Sequence, residues 1–321
     1  MEALVIMTGA RVDALLRGWK GAPLARRLWR YAQLMRLNRP IGIGLLLWPT
    51  LWALWLAARA LPGSPAWPSL KLLAVFVAGT VVMRSAGCVI NDFADRDIDP
   101  WVKRTSGRPL ALRLVSPHEA LALFGALVLV ALWLVTRLDM RTVLYSLAGA
   151  ALTVSYPFAK RFFALPQFWL GAAFGWAVPM AFVATLGKVT SLGWLLFIVT
   201  VLWAAVYDTE YAMVDRDDDL QIGVHSTAIA FGDLDKLLIG VMQLMVLAGL
   251  VFAGHALRLG WPFALALGAA ALLFLYQQWL IRHREREPCL RAFLNNNRVG
   301  LLVFVGIVAD KLWRAHSGAP L

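Results

Sequence analysis

The sequence predicts an all-α membrane protein, a bundle of nine transmembrane helices with two acidic motifs at one membrane face. Hydrophobic residues make up 60% of the 321-residue chain and its mean hydropathy is +0.67, above what a soluble domain carries. Apolar runs recur along the chain at about the 20 residues that a hydrocarbon core requires. Acids are scarce and gathered: of 19 Asp and Glu, ten fall within 92–99 or 208–219. The pattern Asp-Arg-Asp-x-Asp occurs at Asp95–Asp99 and again at Asp215–Asp219, each time just after a long apolar run.

Residues 1–36 read as a basic N-terminal extension ahead of a membrane domain over 37–316. Arginines among Leu and Trp, with no uninterrupted apolar core, argue against a cleaved leader. From Leu24 to Met35 the apolar residues fall at helical spacing, which predicts an amphipathic helix on the membrane surface. Nine spans follow at about 41–60, 72–91, 118–136, 140–158, 166–186, 191–212, 237–256, 261–281 and 297–315. Pro40 opens the first. Ser116-Pro117-His118-Glu119 is a capping-box pattern with proline at the first helical position.

The net charge of +12 would suggest nucleic acid in a soluble chain. Here the basic residues lie between apolar runs, where they face lipid headgroups, so nucleic acid is not the reading. Lys and Arg crowd the N-terminal segment and the loops at 96–113, 160–161 and 282–298, against a sparser opposite set including Arg59, Lys71, Arg137 and Lys188. That asymmetry puts the N-terminus and both acidic motifs on the cytoplasmic side. The acidic stretches close the second and sixth spans, so helix parity brings them to one face. The fourth span ends there too, at Tyr156 and Lys160. Cys88 and Cys289 are far apart, and the five histidines form no soft-metal cluster.

At 100° per residue, Asn91, Asp92, Asp95 and Asp99 share one helix face while Asp97 points away; Asp208, Tyr211, Asp215 and Asp219 share another. Stacked carboxylates near a bilayer need neutralising. Hard oxygen donors without Cys or His favour Mg²⁺ or Mn²⁺ over zinc, and Mg²⁺ takes a few carboxylates together with phosphate oxygens, which implies a diphosphate substrate. Lys103, Arg104, Arg108 and Lys160 are placed to hold phosphate oxygens; the ordinary cytoplasmic excess of cations is the plainer account of them. Arg84 lies about two turns inside the second span. It needs an anion there, either Asp95 or Asp208 as an internal partner or a substrate carboxylate. Arg36, just before the first span, contacts headgroups on the simplest reading.

These residues resemble the intramembrane aromatic prenyltransferase superfamily. Its Asn-Asp-x-x-Asp-x-x-x-Asp motif is met by Asn91, Asp92, Asp95 and Asp99, its second acidic motif by Asp215 and Asp219 with Asp208 and Tyr211 ahead, and its Tyr-x-x-x-Lys motif by Tyr156 and Lys160. Arg39-Pro40-Ile41-Gly42, Leu46-Leu47-Trp48-Pro49, Tyr211-Ala212-Met213-Val214 and Asn295-Asn296-Asn297 are similar to the 4-hydroxybenzoate branch. His225 stands where relatives commonly have lysine. The resemblance covers roughly residues 31–310. It implies Mg²⁺ on Asn91, Asp95, Asp215 and Asp219, with Asp92 and Asp99 on the same faces. It also implies an all-trans polyprenyl diphosphate with its tail toward the bilayer, and transfer to the ring carbon ortho to the hydroxyl of 4-hydroxybenzoate, an early ubiquinone precursor. Asp95 and Asp215 would act through the metal and Asp208 would orient or deprotonate the phenol. Arg36 or Arg84 would take the acceptor carboxylate. Such an enzyme sits in the bacterial inner membrane. The alternatives are another aromatic acceptor or, in a different class, a cation-coupled transporter; acids gathered at one face instead of mid-span speak against the latter.

Overall fold

In hydrocarbon a helix satisfies its backbone N–H and C=O groups internally, which is why each apolar run of span length folds as one. The computed structural model describes residues 22–61, 67–102, 105–159, 162–223 and 225–317. A helix α1 (Ala22–Leu34) precedes α2 (Ile41–Arg59), α3 (Leu70–Ala94), α4 (Pro117–Val135), α5 (Met140–Ala159), α6 (Pro166–Gly175) and α7 (Ala177–Leu186). Then come α8 (Ser191–Ile222), a single turn α9 (Thr227–Ala230), α10 (Asp235–Ala256), α11 (Trp261–Ile281) and α12 (Arg286–Ser317). Among the described residues nine stretches are long and apolar enough to cross a membrane, α6 and α7 together making the fifth. No strand occurs among them.

Local signals set several boundaries as the sequence predicts. Ser116 caps α4 with a complete capping box: its side chain accepts from the Glu119 N–H at 3.2 Å and Glu119 accepts from the Ser116 N–H at 3.0 Å. The fifth span divides at Trp176. Pro179 lacks the N–H that would bond Gly175 O, so the ladder is interrupted there. Two helices run further than hydropathy indicates. α8 continues to Ile222 instead of stopping near 212, and α12 begins at Arg286 instead of 297. Polar side chains lower hydropathy without ending a helix when neighbouring helices supply them with partners.

Those partners are visible on one turn of α12. Asn295, Asn296 and Asn297 point about 100° apart, and each meets a different helix. Gln277 of α11 donates to Asn295 Oδ1 at 3.0 Å, Trp203 of α8 donates to Asn296 Oδ1 at 2.9 Å, and Trp48 of α2 donates to Asn297 Oδ1 at 2.7 Å. Gln243 of α10 joins by donating to Gln277 at 2.9 Å. The apolar core surrounds this turn, with the Trp52 and Trp203 ring centroids 5.1 Å apart and Trp52 donating to Gly300 O at 3.1 Å. At the end of the bundle opposite the acidic motifs, the buried Asp310 accepts from Arg314 Nε at 3.1 Å and from the Gly260 N–H, and Arg59 lies 3.8 Å away. That cluster ties α2, α11 and α12 together.

α1 is strapped across the motif end. Leu34 is fully buried against α3, and Tyr31 donates to Glu119 at 2.7 Å while Arg27 pairs with the same carboxylate.

Gly300 sits where a Cβ would overlap Trp48 and stand 2.8 Å from Trp203, whereas a Cβ on Gly268 meets nothing within 4 Å. Gly300→Ala is therefore expected to destabilise the bundle by about 1–3 kcal/mol through overpacking, while Gly268→Ala is neutral or slightly stabilising. Thermal unfolding of the detergent-solubilised variants, followed by tryptophan emission, checks the contrast.

Candidate active site

A cavity of about 370 Å³ opens at the motif end, between the α1–α2 connection, α2, α3, α5, α6, α8 and α12. Its volume suits a small organic ligand. The first motif contributes Asn91 and Asp92 to the wall, and α8 contributes Tyr207, Asp208 and Tyr211. Asn91 and Asp92 of the first motif and Asp208, ahead of the second, thus line one cavity. Asp95 and Asp215 lie one helical turn beyond the wall residues and are 3% and 7% exposed. Asp219 borders a separate cavity of about 330 Å³ beside His225 and Ser226.

The local chain path differs between the motifs. α8 is unbroken through Asp219, so Asp208, Tyr211, Asp215 and Asp219 do share a helix face. α3 ends at Ala94, and the next residues form a turn that closes with a short 3₁₀ segment, Asp99–Trp101. Asp99 nonetheless returns to the site, buried, while the Asp97 side chain is 81% exposed and faces away.

Arginines organise the first motif. Arg36 Nη2 donates to both oxygens of Asp92 at 2.7 and 2.9 Å. Arg36 adopts φ 56°, a left-handed conformation that costs an arginine about 1–2 kcal/mol, at the turn where the chain leaves α1. Arg108 Nη1 lies 3.0 Å from Asp92 Oδ1 and donates to Asp99 at 2.8 and 2.9 Å. Burial pushes the Asp99 carboxyl above the usual carboxylate range; Arg108 works against that shift, and the Asp92 and Asp95 charges add to it.

Arg84 behaves otherwise. Among the described residues it makes no hydrogen bond and no ion pair, so the internal partner expected in Asp95 or Asp208 is not realised. Its guanidinium carbon lies 5.5 Å from the centre of the Phe174 ring, and its Nε and Nη2 occupy the space that a Cβ on Gly42 would fill. Gly42 is glycine because the guanidinium packs on its backbone. Arg84, Asp208 and the phenols of Tyr156, Tyr207 and Tyr211 line the same cavity, where the Tyr211 and Phe293 rings are tilted with centroids 4.6 Å apart.

No three His, Cys, Asp or Glu side chains gather into a metal cage among the described residues. The donors present are oxygens, and buried carboxylates flank the cavity mouth on both sides. That arrangement fits Mg²⁺, which binds through one or two carboxylates together with waters and substrate phosphates rather than in an all-protein cage.

The sequence profile of the UbiA prenyltransferase family matches residues 46–301. This chain belongs to that family. It is 58% identical over 287 residues to the 4-hydroxybenzoate octaprenyltransferase of Alkalilimnicola ehrlichii, covering 89% of this chain and 96% of the relative. It is 56% identical over 289 residues to the protein of that name from Nitrosococcus oceani, covering 90% and 99%. The apo structure of a UbiA homolog from Aeropyrum pernix K1 superposes with a TM-score of 0.72 at 28% identity, over 84% of this chain and 97% of that one. A UbiA homolog from Archaeoglobus fulgidus, bound to GPP and Mg²⁺, shares the fold with a TM-score of 0.68 at 16% identity, over 88% and 99%.

Within this family member, Lys103, Arg104 and Lys160 lie outside the described residues. The remaining expected residues either border the cavity or lie within a turn of one that does, apart from Asp99, which the chain turns back to Arg108, and Asp219, which borders the second cavity. Sequence reasoning missed Tyr207 and Phe174 on the cavity wall. It also missed that Arg36 and Arg108 would converge on Asp92. Tyr207, adjoining Asp208, carried a signal; Phe174, in a uniformly apolar run, carried none.

Arg108→Ala would leave Asp92 and Asp99 buried without that cation. The variant is expected to lose on the order of 3 kcal/mol near neutral pH. A buried acid whose pKa is raised binds more protons folded than unfolded, so the loss should grow as pH rises and shrink toward about pH 5. Thermal melts across pH check both statements.

Proposed function

We propose that this protein transfers a polyprenyl group from an all-trans polyprenyl diphosphate to the ring carbon ortho to the hydroxyl of 4-hydroxybenzoate, within ubiquinone biosynthesis. The observation that carries the reading is Arg84, a half-buried cation on the cavity wall with no anionic partner among the described residues. It is a receptor for the acceptor's carboxylate. The activity named for relatives above 50% identity supports the same acceptor.

In this reading Asn91, Asp95, Asp215 and Asp219 would hold Mg²⁺, which would supply charge neutralisation to the departing diphosphate. Arg36 and Arg108, fixed in place by Asp92 and Asp99, offer their remaining N–H groups to phosphate oxygens, with Lys103, Arg104 and Lys160 as further donors. The allylic C–O bond breaks and its electron pair leaves with the diphosphate. Tyr156, Tyr207, Tyr211 and Phe174 surround the allylic cation with ring faces and exclude water that would quench it. Arg84 holds the acceptor so that its ortho carbon faces the cation. Asp208 takes the phenolic proton as the C–C bond forms and returns it as the ring carbon releases its own. The net products are 3-polyprenyl-4-hydroxybenzoate, diphosphate and a proton. The protein lies in the bacterial inner membrane with the motif end toward the cytoplasm, where the basic loops meet anionic headgroups.

Membranes carrying the protein, supplied with radiolabelled 4-hydroxybenzoate, a polyprenyl diphosphate and Mg²⁺, are expected to yield a labelled lipid that EDTA abolishes; no labelled lipid would sink the reading. Arg84→Leu should raise KM for 4-hydroxybenzoate by roughly 10- to 100-fold, the worth of one charge-assisted hydrogen bond, and leave KM for the diphosphate unchanged. In the same assay Asp95→Ala and Asp215→Ala are expected to lose turnover while Asp97→Ala retains it.

A further inference from the structure

Glu210 is fully buried on α8, between Asp208 and Tyr211 in sequence. Its Oε2 accepts from Asn296 Nδ2 at 2.7 Å, and its Oε1 is buried without a partner. No Lys, Arg or His among the described residues pairs with it. A buried carboxyl served by a single neutral amide is costly, and nothing in the prenyl-transfer reading uses it. Asn296 is committed in full: it donates also to Ala292 O at 3.1 Å and accepts from Trp203 Nε1 at 2.9 Å.

The geometry gives this pair a role. On α8, Trp203, Tyr207 and Glu210 recur at intervals of four and three, so they form one stripe, which meets Phe293 and Asn296 of α12. Asp208 and Tyr211 form the adjacent stripe, and that one lines the cavity. Tyr207 belongs to both. The Glu210 contact lies between Asp208 and Tyr211 in sequence and is one of those that tie α8 to α12, alongside Trp203 with Asn296 and Tyr207 with Phe293. With side-chain tips about 5–6 Å from a helix axis, a 20° turn moves them by about 2 Å, and displacements of about 1 Å at a reacting centre cost up to about 100-fold in rate.

We infer that Glu210 is a positioning residue, whose hydrogen bond to Asn296 locks the rotational setting of α8 and thereby aims Asp208 and Tyr211 into the cavity. The side chain acts through its length and hydrogen bond, not through a charge offered to substrate. The inference rests on the reading of the cavity as the site of prenyl transfer.

Two conservative substitutions separate length from charge. Glu210→Gln keeps the reach and the acceptor oxygen. Glu210→Asp keeps the acid but withdraws it by about 1.5 Å, beyond Asn296. With wild type and both variants purified, and folded protein quantified, kcat and KM are measured at saturating prenyl diphosphate. Glu210→Gln is expected to keep kcat within about threefold, and Glu210→Asp to lose roughly tenfold or more in kcat with KM for the diphosphate unchanged. Wild-type kcat in the Asp variant, or a loss in the Gln variant as large as in the Asp variant, would overturn the inference. Where Glu210→Asp does not fold, Glu210→Gln decides: retained kcat supports the lock and a tenfold loss refutes it. Wild-type protein that prenylates a different aromatic acceptor would refute the 4-hydroxybenzoate assignment alone, since the variants are read equally well on that acceptor.

Discussion

Hydrocarbon solvates no polar group, and that constraint sorts every polar side chain in this bundle. A residue with an N–H or a carboxylate inside the helices must find its partner on another helix. The asparagine turn of α12 meets this demand for α2, α8 and α11 at once. Asp310 meets it at one end of the bundle, and the arginines on Asp92 and Asp99 meet it at the other. What remains unmatched by the protein stands out the more. Among the described residues Arg84, on the cavity wall, packs on the Gly42 backbone and the Phe174 ring and makes no ion pair.

The site is built by dividing labour between two kinds of acid. Asp92 and Asp99 spend their charge on Arg36 and Arg108, which fixes two guanidinium groups at the cavity mouth. Asp95 and Asp215 sit a turn further out, buried at the motif end. An acidic motif that looks uniform in sequence is thus two layers. One fixes guanidinium groups at the cavity mouth, and the other would suit a hard divalent ion in the proposed reaction.

Much of this was legible beforehand. Length and hydropathy located nine spans, because the hydrocarbon thickness imposes a length that few other constraints mimic. Parity then placed both motifs at one end. Hydropathy misjudged α8 and α12, since Asp208–Asp219 and Asn295–Asn297 read as the end of an apolar run although their helices continue. The pairing of Arg36 with Asp92 was hidden for a different reason: 56 residues separate them, and only the α1 strap, pinned at Glu119, brings them together. Gly42 and the asparagine run stood out as patterns, yet their physical reasons, room for a guanidinium and three partners on three helices, exist only in the packed bundle.

The length of α8 has an evolutionary consequence. Its 32 residues make a rod of about 48 Å, longer than the roughly 30 Å hydrocarbon layer. Asp208 to Asp219 occupies about 16 Å of that rod, so one rigid element carries both the cavity-lining Asp208 and Asp219 at the second cavity. A single inserted or deleted residue between them would swing every group beyond it by about 100°. The outer half of the rod therefore accommodates a change of side chain but not a change of length.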